Sequence, residues 1–146
     1  MSAQITLSDS RRTYILPSRR QDDVISIYQD DTELAAVRFV QRLGIRPNLS
    51  GYHLLIRSIT LSLKEPALLN SLTHSLYPVV ARQCGCDVKA VERNIRRAIE
   101  SAYEYDPERI RSIFYYRVDK PYISEVISLA VETVRYEAAF EKCRSV

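Results

Sequence analysis

A chain of 146 residues has room for one apolar core and a short extension, which excludes a multidomain enzyme. Its 46% hydrophobic and 27% charged residues describe a folded protein rather than a disordered tail, and three glycines are too few for a turn-rich all-β fold. The net charge of +3 conceals a gradient: residues 35–100 carry ten basic against four acidic side chains, an excess that attracts polyanions through long-range field and counterion release.

No apolar run approaches the ~20 residues of a membrane helix, and the opening MSAQITLSDSRR lacks the apolar stretch of an export signal. A cytoplasmic protein without membrane contact is expected. Residues 1–30 read as an extension or arm, with short β-type runs at 13–16 and 24–28 around PSRRQDD that fit a hairpin or an extended segment. Arg11, Arg12, Arg19 and Arg20 could seek phosphate, but Asp22, Asp23, Asp30, Asp31 and Glu33 follow directly, which favours a solvated arm or a subunit contact.

Over 31–146 the apolar spacing predicts an all-α domain of six helices. Leu34, Val37, Val40 and Leu43 line a first helix that Gly44 and Pro47 end. Ser50 is placed to cap a second, whose stripe Tyr52, Leu55, Ile56, Ile59 and Leu63 runs to Glu65-Pro66. A third carries Leu69, Leu72, Leu76, Val79 and Val80, with Pro78 expected to kink or restart it, and stops near Cys84-Gly85. Asp87 can cap a fourth over 87–102, with Val88, Val91, Ile95, Ala98, Ile99 and Ala102 inward. Asp106-Pro107 begins a fifth around Ile110, Ile113 and Phe114, and a sixth follows Pro121 along Ile123, Val126, Ile127, Ala130 and Val134.

Three cysteines in a chain with no export signal fit reduced thiols better than a disulfide framework. Cys84-x-Cys86 could supply half of a tetrahedral metal site. However, His53 and His74 are the only histidines and neither completes a second pair, so neither metal nor cofactor is expected. No nucleophile with a base, carboxylate pair or phosphate-cradling glycine loop points to an enzyme, and His74 and the tyrosines read as surface or packing residues.

The short connection between the third and fourth helices is the informative feature. A helix-turn-helix needs a small residue where its helices cross and a turn residue tolerant of left-handed backbone, and Ala81 and Gly85 fill those places. Val91 falls where the second helix must plug into the core, while Ile95 comes one residue later than the commonest spacing. At about 100° per residue, Ala90, Arg93 and Arg97 point most directly outward, flanked by Lys89, Asn94, Arg96 and Glu100. Lys89, Arg93 and Arg97 are successive i, i+4 neighbours of like charge, an arrangement that a nucleic-acid phosphate would relieve. Arginine matches guanine O6 and N7, and Glu92 can accept from cytosine N4. The plainer reading is a solvated helix bearing Glu92–Arg96 and Arg96–Glu100 pairs.

The stretch GYHLLIRSITLSLKEPALLNSLTHSLYPVVARQCGCDVKAVERNIRRAIESAYEYD resembles the C-terminal effector domain of the stage-zero sporulation response regulator family, through LYP-x-x-A and VER-x-IR-x-AIE, over about residue 32 to the C-terminus. The resemblance implies that the third and fourth helices form the helix-turn-helix and bind a box like TGTCGAA, often in tandem copies. Glu92 and Arg93 then stand where the family reads bases, and Arg96 and Arg97 where it meets the backbone or groove edge. The expected site is Lys89, Ala90, Glu92, Arg93 and Arg97 at base edges, and Arg96, Ser50, Tyr52, Thr73 and His74 at phosphates.

Two departures qualify the resemblance: Ala90 replaces an arginine that contacts guanine in the family, and Asn48-Leu49-Ser50 stands where the family carries histidine and lysine. About thirty N-terminal residues are too few for the family's receiver domain, so receiver phosphorylation is not expected. The expected partners are double-stranded DNA, a second copy of the chain in a homodimer, and a full-length relative. The alternative to a transcription regulator is an interaction module that modulates such a relative without reading DNA.

Overall fold

The computed structural model describes residues 31–116 and 118–145. The expectations for residues 1–30 lie outside them. Among the described residues there are six α-helices and no strand: α1 (Asp31–Leu43), α2 (Ser50–Lys64), α3 (Tyr77–Cys84), α4 (Val88–Tyr105), α5 (Pro107–Ile113) and α6 (Ile123–Ser145). A 3-10 turn over Pro66–Asn70 and a π-helical turn over Leu72–Leu76 join α2 to α3. The six-helix, all-α expectation holds, and no described helix is long and apolar enough to cross a membrane.

Helix α2 is the centre, packed against α1, α3, α4 and α6. This explains a difference from the sequence pattern, which gives it a single inward stripe. Leu54, Ser58, Thr60 and Ser62 are buried along with Tyr52, Leu55, Ile56 and Ile59 because neighbours cover nearly every side. The Ser58 and Thr60 hydroxyls survive burial by donating to the Leu54 and Ile56 carbonyls one turn back, both at 2.8 Å. Ser50 is not the cap of α2. It is the first helical residue, and Leu49 occupies the cap position without a side-chain hydrogen bond.

The predicted third helix is divided. Leu69 belongs to the separate 3-10 turn, and the helix proper begins after Ser71, whose hydroxyl accepts from the His74 N–H at 3.1 Å. Leu76 N–H reaches back to Ser71 O, and Tyr77 N–H to Leu72 O, giving the wider π turn just before Pro78. Proline has no N–H to donate, and its ring crowds the carbonyl four residues back, so a π turn there loosens the ladder where α geometry would clash. That shift turns Tyr77 inward, at 4% exposure, and leaves Val79 half-buried.

α4 follows its predicted stripe closely. Val91, Ile95, Ala98, Ile99 and Ala102 are all at most 5% exposed, and each branched side chain so buried stabilises the fold by roughly 1.5–3 kcal/mol relative to exposure. α5 adds Ile110 and Phe114 to the same core, and α6 adds Val126, Ile127, Ala130 and Val131.

Candidate nucleic-acid interface

α3 and α4 form the predicted helix-turn-helix. Gly85 adopts φ 71 and ψ 37, its N–H bonds Ala81 O, and Cys86 N–H bonds the same oxygen at 3.0 Å. This left-handed termination gives the Ala81 carbonyl two donors at the end of α3. Ala81 is buried at the crossing, and Val91 and Ile95 are fully buried, so the later spacing of Ile95 is accommodated. The Ala90 N–H donates to Asp87 Oδ1 at 2.7 Å, the predicted cap of α4.

With its apolar face seated, α4 presents Lys89, Arg93 and Arg97 to solvent as one ridge. None of the three forms an ion pair with another described residue. Ala90 is half-buried rather than among the most exposed positions. Glu92 and Arg96 lie on the flank, pair with each other, and border a groove of about 900 Å³ shared with Leu72, Tyr77, Tyr103 and Lys120. The second anticipated intrahelical pair is absent because Glu100 instead meets Lys120 Nζ at 3.0 Å. Elsewhere in the basic segment two cations are compensated within the fold, Arg57 by Glu33 at 3.8 Å and Arg42 by Glu137 at 3.4 Å. The ridge is therefore a run of three uncompensated cations on one helix face, with Arg38, Arg46 and Arg82 exposed elsewhere and likewise unpaired among the described residues.

The phosphate candidates separate into two groups. Ser50 at the start of α2, and Thr73 and His74 in the π turn leading into α3, are exposed. Tyr52 is a correction: it is 6% exposed, and its hydroxyl accepts from Gln41 Nε2 at 3.1 Å. Its place in the buried stripe of α2, legible from periodicity, takes precedence over the surface role.

One positioning residue escapes the sequence pattern. A Cβ on Gly51 would lie 2.2 Å from Asn94 O and 2.7 Å from the Ala98 Cβ, so only glycine lets α2 approach the middle of α4 this closely. A glycine in the first turn of a helix gives no hint of such a contact, since the neighbour is more than forty residues away in sequence. Burial, and secondarily the Glu92 carboxylate, push the Tyr77 hydroxyl up to about 12, with Arg96 opposing.

The helix-turn-helix and the ridge arise from residues within a span that a family model also matches. The model described as "Sporulation initiation factor Spo0A C terminal" covers residues 36–134, about two thirds of the chain. That family is a DNA-binding regulatory domain rather than an enzyme family. The chain belongs to the C-terminal effector-domain family of the sporulation initiation factor.

Proposed function

We propose that this protein is a sequence-specific, double-stranded DNA-binding transcription regulator that inserts α4 into the major groove. The observation that carries the reading is the exposed ridge of Lys89, Arg93 and Arg97, which no described acidic side chain neutralises. Arg93 reads a base edge, with Arg97 and Lys89 beside it and Glu92 available once it releases Arg96. Ser50, Thr73, His74 and Arg96 meet phosphates and set the register of the domain on the duplex. Ala90 brings only a methyl group to a position where the family uses arginine, so the preferred box differs from TGTCGAA at the base pair that this arginine would contact. The protein acts in the cytoplasm, as a homodimer or beside a full-length relative, with residues 31–146 as the DNA-binding unit and 1–30 as an arm.

Affinity for duplexes bearing the family's box and for scrambled duplexes, measured at several salt concentrations, tests this reading. Arg93→Ala is expected to cost about 1–3 kcal/mol on the preferred duplex and to relax selectivity at one base pair. Equal binding by the variant and the parent would remove Arg93 as a reader. If the parent binds no duplex even at low salt, the domain is an interaction module that acts through a relative.

A further inference from the structure

DNA reading leaves one feature of the helix-turn-helix unused. Cys84 ends α3, Cys86 lies just past the turn glycine, and both thiols are exposed. Gly85 between them is in the left-handed helical region. Helical geometry, with a Cα radius of about 2.3 Å and a rise of about 1.5 Å per residue, places residues i and i+2 about 5.4 Å apart in either hand. Disulfides span Cα separations of about 4.4–6.8 Å, whereas an extended glycine would set the two residues about 7 Å apart. The conformation that terminates α3 therefore also sets the two α-carbons within the span of a disulfide, leaving the side chains to turn toward each other on closure.

Two further observations support a site at this place. Apart from its two chain neighbours, no residue has a heavy atom within 4 Å of a Cβ built on Gly85, so the turn between the thiols is open on that side. Among the described residues no third His, Cys, Asp or Glu joins the thiols to make a metal-ligand group, and the Asp87 carboxylate is occupied by the Ala90 N–H. The chemistry that two thiols accomplish alone is oxidation to a disulfide.

We propose that Cys84 and Cys86 are a reversible dithiol–disulfide pair, closed by exchange with a low-molecular-weight disulfide, and that closure resets α4 and changes its affinity for DNA. The DNA part rests on the function proposed above, and the thiol chemistry does not. One cysteine thiolate attacks a sulfur of the small disulfide, forming a mixed disulfide and expelling one small thiolate. The second cysteine gives its proton to solvent, attacks the protein sulfur of the mixed disulfide, and expels the other small thiolate. Two protein thiols are oxidised while one small disulfide is reduced to two thiols. Burial, and then the neighbouring Cys86, push the Cys84 thiol up while Arg57 opposes, which casts Cys84 as the second, resolving sulfur. Closure draws the two Cβ atoms to about 3.8 Å, and the adjustment falls on the backbone that leads directly into Asp87, the cap of α4.

The test uses the full chain carrying Cys143→Ser, so that Cys84 and Cys86 are its only thiols, equilibrated with mixtures of oxidised and reduced glutathione. Intact mass after acid quenching should show the loss of two hydrogens, reversed by dithiothreitol. Adding Cys84→Ser or Cys86→Ser should stop the reaction at a single glutathione adduct. Affinity for the box duplex should differ about 5-fold or more between the dithiol and disulfide forms. Two glutathione adducts on one chain, or free thiols across the whole titration, would overturn the bridge. A bridge that leaves affinity unchanged would overturn its coupling to α4. A reduced parent that binds no duplex would instead overturn the proposed function, while the mass measurement would still decide the bridge.

Discussion

A hydrogen in place of a methyl at Gly51 sets the distance between α2 and the middle of α4. The atom that a Cβ at this position would meet at 2.2 Å is Asn94 O, a backbone oxygen that cannot rotate away as a flexible side chain would. Gly51→Ala is expected to destabilise the fold by about 3 kcal/mol, the upper end of overpacking costs, read as a lowered urea midpoint, and an unchanged midpoint would contradict the close approach. Tyr77 offers a second test at this scale. Its folded-state pKa is raised from 10.0 to about 12, so the folded protein holds the proton after the unfolded chain has released it. The resulting stability is complete below pH 10 and is lost as pH rises towards 12. Tyr77→Phe should therefore flatten the fall in stability over that window, seen by denaturant titration at several alkaline pH values. Neither role is legible from local sequence, because one depends on a distant carbonyl and the other on a π turn that rotates Tyr77 inward.

At the scale of elements, periodicity serves best where a helix has one buried side. α4 is such a helix, and its buried residues, its cap Asp87 and its outward Arg93 and Arg97 are all legible in the spacing. α2 is less legible because it is surrounded, and small hydroxyl residues that bond their own backbone can occupy positions a hydropathy pattern marks as outward. The third helix looks continuous in sequence because leucine spacing runs on across Ser71, although the hydroxyl of Ser71 and the ring of Pro78 favour a restart. The turn between α3 and α4 gives this scale its prediction. Gly85 has space around it but a left-handed backbone, so Gly85→Ala should cost about 1–2 kcal/mol through conformation alone, measured by chemical denaturation. A cost as large as that of Gly51→Ala would indicate packing at the turn that the structure does not contain.

For the whole molecule, the arrangement of charge matters more than its total. The basic excess of residues 35–100 is partly neutralised by Glu33, Glu137 and the Glu92–Arg96 pair, each tying a cation to an acid within the fold. Exposed pairs of this kind contribute only about 0–1 kcal/mol each, so their larger effect is on where unneutralised charge remains, including the three cations of the ridge. Duplex affinity should fall linearly with salt on logarithmic axes. Arg96→Ala should reduce the slope by about 0.9 and weaken box and scrambled duplexes alike, unlike Arg93→Ala. An unchanged slope would exclude a phosphate contact by Arg96.

Helix number, the end of α1 at Gly44, the start of α4 at Asp87, the left-handed turn and the identity of the outward cations were determined by the amino-acid order itself, because they depend on residues within one or two turns of each other. α4 runs on to Tyr105, three residues past its expected end. The tertiary structure decided the rest. It buried Tyr52, paired Glu100 with Lys120 rather than Arg96, and required glycine at position 51. Those outcomes depend on which surfaces meet across the fold, and helical periodicity specifies a face without naming the neighbour that will cover it.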